Sequence, residues 1–534
     1  MARVLVVFHR GPWGQWRSTY DSHLNCIKRV AGNDYFYLNS AWPAAPRYLK
    51  RLNPDLVIFH YTFLAVRQIP AEFEKHCERI GFLKDVPCRK ALVPHDEHAH
   101  ADLLCSLSRD FGVTHIFSPA SESVWPKIYR ELDLDAITFR TVLTGYIDEA
   151  TVAKYAVAAD APADRPIDVG YRSWSIQPSY GRHGLLKREI GRAFSERAPG
   201  FGLVPDISSD FRDAFFGESW FDFLLRCKYT IGVEGGTSIL DFDGGYSECG
   251  KAYLRTNPNA SFEEVEAACF PGVDGHFDYF LLGPRHLEAV LTKTCQVLIE
   301  GAYGGTLEAG THYIPLKKDF SNLDDVLLTM KRDDLRGEMV ERAYEDVIRS
   351  HKWTYDEFAR LLLDTCFEGT DVVRTERSAK DRWLVLRNRV SCNRWFEKFW
   401  AVCNPRILPM TLRVHARSLA VALLGEERLW RILVRLRNLL RRMSGRPPLD
   451  LGGYRPTPQE IARRERSSYR RSTKQWARDA VVLIVGEERL WKMLIRTKNL
   501  LRRATGKPPV DVGDYQPTAA EIARRNVRFS KRRK

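Results

Sequence analysis

Short apolar, β-branched runs recur through the first 150 residues, and stretches with helical periodicity separate them. Residues 4–8, 35–38, 55–61, 90–93, 114–117 and 137–143 read as strands. The runs are continuously apolar rather than alternating, which suits parallel strands covered on both faces and joined by crossover helices. The segment DAPADRP, residues 160–166, breaks both periodicities and reads as a linker. After it the pattern restarts: a strand at 167–170, a helix over about 185–198, a strand at 229–233, a helix opening at Pro284, strands at 296–299 and 312–315, and closing helices to about Glu368. The prediction is an α/β chain of two Rossmann-like doubly wound domains, 1–160 and 161–370. Ligands of such sheets bind beyond the carboxyl ends of the strands.

From residue 371 the character changes. Residues 371–534 carry 40 of the 82 Lys+Arg and 15 of the 67 Asp+Glu, net +25, which leaves residues 1–370 at net −10. The formal +15 therefore belongs to the tail and not to a nucleic-acid-binding body. The tail also repeats itself: GEERLWRILVRLRNLLRRMSGRPPLDLGGYRPTPQEIARR, 425–464, returns as GEERLWKMLIRTKNLLRRATGKPPVDVGDYQPTAAEIARR, 486–525. In the first copy Leu429, Ile432, Leu433, Leu436, Leu439, Leu440 and Met443 share one helical face and Arg428, Arg431, Arg435 and Arg442 the other. A basic α-helical extension of this kind fits an anionic membrane surface. Docking of the helices on each other or on the enzyme is the competing reading, and nucleic acid is disfavoured because no recognised module accompanies the charge.

The start of the chain lacks the basic-then-apolar pattern of a signal peptide, and no uncharged apolar run reaches the roughly 18 residues of a membrane span. Eleven scattered cysteines without a C-x-x-C pair read as buried thiols in a reducing compartment. The expectation is a cytoplasmic protein, peripheral on the cytoplasmic face of the inner membrane through its tail.

Chemistry concentrates after the second set of strands. Residues 227–245, CKYTIGVEGGTSILDFDGG, run a strand into Glu234, Gly235, Gly236, Thr237 and Ser238, where glycines let backbone approach a ligand and amides could face phosphate oxygens; a tight structural turn is the alternative. Pro284 opens a helix with Arg285 and Glu288 on one face, an arginine for phosphate and a carboxylate for ribose hydroxyls, or else a surface ion pair. Asp241 and Asp243 form a D-x-D spacing that we weigh as structural inside this turn. His95, His98 and His100 could be metal ligands, but no fourth ligand has an obvious spacing. A structural histidine is the other reading. The loop after the first strand, HRGPWG, lacks the G-x-G-x-x-G fingerprint, which counts against a dinucleotide-dependent oxidoreductase.

PRHLEA followed by TCQVLIEGAYGGTLEAGTHYIPL resembles the donor-binding half of GT-B glycosyltransferases, of the family-4 type and of exostosin-like donor domains, whose R-x-x-E-A resembles residues 285–289. With YTIGVEGGTSILDFDG, HYIPLKKDFSNL and AYEDVI it resembles a bacterial group of poorly characterised glycosyltransferases, over residues 168–368. The resemblance implies sugar transfer from a nucleotide-diphosphate sugar to a glycan or lipid-linked acceptor, with no metal or other cofactor, and with retention of configuration. By it Glu288 holds the donor ribose and Glu234 stands near the other glutamate of the family's E-x7-E pair, although residue 280, eight before Glu288, is a phenylalanine here. Arg172 and Lys187 match the diphosphate-binding cations, with Arg182 as a rival, and His95, in PHDEH, matches a histidine near the transferred sugar. The alternative from another class is a non-catalytic scaffold that keeps a degenerate sugar-nucleotide fold.

Overall fold

The computed structural model describes residues 2–370 apart from 12–17, 43, 161–164, 174–175, 211–212 and 216, together with 379–392, 430–432, 434–435 and 438. The second tail repeat and all but six residues of the first lie outside these, as do the interfacial helices expected of them.

Six strands form the first sheet: β1 Arg3–Phe8, β2 Asp34–Asn39, β3 Leu56–His60, β4 Arg89–Val93, β5 His115–Ser118 and β6 Thr138–Thr141, in the order β2-β1-β3-β4-β5-β6. All five pairings are parallel. The sequence of β1 explains its central place. Val4, Val6 and Phe8 point into one core and Leu5 and Val7 into the core on the other face, so every position of the run is buried by helices on one side or the other.

The second lobe holds β7 Ile167–Arg172, β8 Pro205–Ser208, β9 Cys227–Gly232, β12 Cys295–Ile299 and β13 Ile314–Leu316, in the order β13-β12-β9-β7-β8, again parallel throughout. A short antiparallel pair, β10 Gly235–Thr237 with β11 Tyr279–Leu281, stands apart from it. Two doubly wound sheets in series is the layout that the sequence predicts. In the second sheet β7 has β8 on one side and β9 on the other, so the strand order reverses between β7 and β9 and opens a crevice at their carboxyl ends.

Three features depart from expectation. The helix Tyr355–Phe367, expected to close the second domain, crosses back to the first sheet and buries Tyr355, Phe358, Ala359, Leu362, Leu363 and Cys366 against Val4, Val6 and Ile58. Burial of each large apolar side chain contributes about 1.5–3 kcal/mol, enough to hold the crossing. The helix Ala379–Ser391, from the start of the basic extension, also docks on the first lobe. Asn388 accepts from the Tyr37 amide at 2.8 Å and donates to the Tyr37 carbonyl at 2.9 Å, which satisfies backbone groups of the edge strand β2. Finally, Cys249 and Cys269 form a disulfide, which corrects the all-thiol reading: the helices Gly245–Thr256 and Phe262–Cys269 bring their Cα atoms to 5.5 Å, a proximity that a spacing of 20 residues does not announce. No helix among the described residues is long and apolar enough to cross a membrane.

The segment carrying that disulfide, between β10 and β11, joins the lobes. Asp241 accepts from the His100 amide at 3.0 Å and donates its own amide to the His98 carbonyl at 2.8 Å, while Lys127 reaches the His276 carbonyl at 2.8 Å. Phe277, Tyr279 and Leu281 are packed into the first lobe's core.

Candidate functional site

A cavity of about 330 Å³ opens at the crevice of the second sheet. Tyr171 and Ser173 at the end of β7, and Thr230, Ile231 and Gly232 of β9, form its floor. Phe215, Trp220 and Phe221 form an aromatic wall, and Gly283, Pro284, Arg285 and Glu288 bring the start of the helix Pro284–Leu291 to its rim. Proline at the first helical position costs that end no hydrogen bond, no side chain caps it, the His286 amide is bonded to the Gly283 carbonyl at 3.1 Å, and the helix dipole adds positive potential there.

Lys187, on the helix Gly181–Arg197, lines this cavity. Its amine makes no hydrogen bond or ion pair among the described residues. Burial pulls its pKa down to about 8; Asp96 of the first lobe opposes that shift through space and Arg285 adds to it. A half-desolvated cation without a contact partner is costly unless an anion completes it. Arg285 lies over the Trp220 ring, 5.0 Å from its centroid, and donates to the Arg172 carbonyl. Glu288, one turn further on, accepts from the Trp220 indole N–H at 2.7 Å. Trp220 thus fixes both members of the predicted pair, and a tryptophan in the aromatic run FFGESWFDF was the signal that sequence reasoning passed over.

Other expected donor residues are placed elsewhere. Arg172 is buried outside the cavity: its guanidinium pairs with Asp206 at 2.7 Å, donates to the Asp213 carbonyl at 3.1 Å and lies over Phe215 and Phe223. It braces the aromatic wall instead of facing a diphosphate. Arg182, the rival cation, pairs on the surface with Glu263, Glu266 and Asp274.

The glycine turn is corrected too. Gly235 lines the cavity, but Gly236, at φ 100°, lies so close to the Tyr279 carbonyl that a Cβ would come to 1.8 Å from its oxygen; glycine is required there by the β10–β11 pairing. The Thr237 hydroxyl donates to the Tyr180 carbonyl at 2.8 Å, and the Ser238 hydroxyl to Asp274 at 2.6 Å. The Ser238 amide goes to the Tyr180 carbonyl, so these groups are spent inside the fold. Glu234 is buried, its carboxyl accepting from the Tyr303 amide at 2.6 Å, and burial raises its pKa. It shapes the 301–305 loop, where Gly301 leaves room for its carboxylate.

His95 sits in the first lobe, stacked on Tyr61 with centroids 3.8 Å apart and edge-on to His23 at 5.7 Å. Burial pulls its pKa well below the usual histidine value, so the ring is neutral. Among the described residues no three His, Cys, Asp or Glu side chains converge as metal ligands, and His98 is buried with neither ring nitrogen bonded. Asp241 accepts from the amides of Tyr246 and Ser247 at 3.0 and 2.9 Å, and Asp243 from that of Gly245 at 3.0 Å, which caps the helix Gly245–Thr256 and supports the structural reading of the D-x-D spacing.

Sequence reasoning also passed over Glu97. Fully buried between the lobes, it accepts from the hydroxyls of Tyr129, of Ser118 at 2.9 Å and of Tyr279 at 3.3 Å. Burial raises its pKa to about 7, against the opposing pull of those donors and of Arg67. The folded state therefore holds this proton more tightly than the unfolded chain. Stability from this group is complete below about pH 4.5 and lost as pH rises through about 7, on the order of a few kcal/mol. Glu97→Gln is expected to flatten that part of the profile in denaturant unfolding between pH 5 and 7.5; an unchanged slope would show that another group sets it.

No protein-family model matches this chain, and no curated protein matches it either. Solved structures do. TarM is 14% identical, with a TM-score of 0.33, over 60% of this chain and 57% of TarM, so the chain spans less than two thirds of that protein's length. An α-glucosyltransferase solved with UDP-glucose and DNA containing an abasic site is 13% identical over 69% of this chain and 99% of that one, at a TM-score of 0.40. T4 phage BGT, solved with its UDP-glucose substrate, is 8% identical over 68% of this chain and 99% of its own, at 0.42. All three TM-scores lie below 0.5, where likeness of overall shape is too loose to carry a function across.

Proposed function

We propose that this protein is a glycosyltransferase that binds a nucleoside diphosphate sugar in the second-lobe cavity and passes the sugar to an acceptor held by the first lobe. The observation that carries this is Lys187: a cation with no contact partner among the described residues, inside a cavity at the switch point of a doubly wound sheet, with Arg285 and a helix N-terminus beside it. Those three positive features suit a diphosphate. Glu288 suits the ribose hydroxyls, and Phe215, Trp220 and Phe221 give the base an apolar wall. His95 and its loop come from the first lobe, on the side of the transferred sugar. In this reading Arg172 and Glu234 are supports, Arg172 of the wall and Glu234 of the 301–305 loop. The diphosphate charge is met by protein cations, so transfer proceeds without a divalent ion. The acceptor is a glycan or a lipid-linked one, and the net +25 tail holds the enzyme against the anionic cytoplasmic face of a membrane.

Calorimetry with nucleoside diphosphates and their sugars, in the presence of a chelator, tests the reading. Binding is expected for at least one of them, whereas a scaffold with a degenerate site would bind none. Glu288→Ala is expected to weaken a ribonucleoside diphosphate about tenfold, the cost of roughly one charged hydrogen bond, and to leave its dideoxy counterpart unaffected. Equal losses for both would remove Glu288 from the ribose.

A further inference from the structure

Arg67 is among the largest fully buried side chains of the described residues, and no carboxylate forms an ion pair with it there. It follows β3 in the short helical stretch Ala65–Gln68. Its guanidinium donates to four carbonyls: Leu64 at 2.8 Å, His95 at 2.9 Å, Ala99 at 3.0 Å, and Asp96. Three of these belong to one loop, residues 94–100. The nearest carboxylates act on it only through space, and that of Glu97 is taken by Tyr129, Ser118 and Tyr279. A buried cation is an expensive way to fill space, and an apolar side chain of similar volume serves that purpose as well or better. A planar fork of five donors, by contrast, can fix several carbonyls in one arrangement.

The loop needs fixing. Asp96 and His100 adopt left-handed backbone conformations, φ 52° and 50°, which persist in non-glycine residues only where the surroundings over-determine them. The loop also faces the second lobe. It carries His95, it presents an exposed Asp96 that is felt by Lys187, and through His98 and His100 it is hydrogen-bonded to Asp241.

We propose that Arg67 is a positioning residue, which holds the carbonyls of His95, Asp96 and Ala99 so that the first-lobe face of the cleft meets the donor cavity in a single register. The proposal rests on the donor reading of that cavity for its kinetic consequence, but not for its structural one.

Arg67→Lys, which keeps the charge and loses the fork, and Arg67→Met, which keeps the volume and loses the charge, test it in the full chain. Hydrogen exchange over residues 94–100 is expected to rise about tenfold in both, while residues 227–235 beneath the donor cavity stay protected. The dissociation constant for the nucleoside diphosphate and the donor KM are expected to stay within about threefold, and kcat for transfer to fall roughly 100-fold, as a displacement of about 1 Å at the reacting groups entails. The proposal is overturned if folded Arg67→Lys exchanges like the parent over 94–100, if donor affinity falls as far as kcat does, or if both variants simply unfold. Should the parent protein bind no nucleotide, the donor reading fails, and the exchange measurement still decides whether Arg67 orders the loop.

Discussion

Lys187→Met should weaken the binding of a nucleoside diphosphate by about 1.5–3 kcal/mol, roughly 10- to 150-fold in the dissociation constant, which is what one charge-assisted hydrogen bond to an anion contributes. The size of the effect follows from the parent's free state. Among the described residues the amine has no contact partner to give up when the anion arrives, and burial has already stripped part of its hydration. The same burial makes the interaction sensitive to pH. With a pKa of about 8 in the empty cavity, the amine loses its charge as pH rises beyond that point. Affinity in the parent is therefore expected to fall between about pH 8 and pH 9, and in Lys187→Met this decline disappears. Titration calorimetry at pH 7, 8 and 9 on both proteins measures the two effects together. Equal affinities at pH 7 would show that the phosphates lie elsewhere, and would take the proposed function with them.

Phe358→Ala should lower the free energy of unfolding by about 3–5 kcal/mol, the usual loss for an aromatic side chain removed from a packed core. Phe358 belongs to the crossing helix, is 2% exposed, stacks on Tyr146 with centroids 4.7 Å apart and touches the His23 ring at 4.9 Å. Its loss leaves a void between that helix and the first sheet. Leu361→Ala on the same helix supplies the contrast: at 40% exposure it should change stability by no more than about 0.5 kcal/mol. Denaturant unfolding of the two variants separates the cases, and similar losses would mean that the helix is held by something other than its buried face.

The strands of both sheets were legible where the chain supplies long apolar runs. β1 is the clear case, because RVLVVF buries side chains on both faces and no other element type satisfies it. β8, PDIS, is half-buried along its whole length, and β10 and β11 have three residues each. Such elements exist because a partner strand lies alongside, and their own sequences carry little periodicity to detect. The helix at Pro284 was legible for a local reason, proline at its first position, and so was the pairing of Arg285 and Glu288 with one site. The glycine turn misled in the opposite way. Gly235 and Gly236 mark close backbone approach as expected, but for Gly236 the approaching group is the carbonyl of Tyr279 in β11, forty-three positions on in a strand the pattern did not show.

What the sequence determined by itself was the alternation of strand and helix, the division of charge between body and tail, the duplication within the tail, and part of the lining of the second-lobe cavity. These are local properties, written in the spacing of apolar residues and in composition over windows of tens of residues. Which cation faces a ligand was decided only by tertiary structure. Arg172, Arg182 and Lys187 look alike along the chain, yet Arg172 is neutralised by Asp206, 34 residues away, and Arg182 by Glu263, Glu266 and Asp274, 81 to 92 residues away, while Lys187 meets no such partner among the described residues. Charge compensation depends on separation in space, and the folded path of the chain sets that separation.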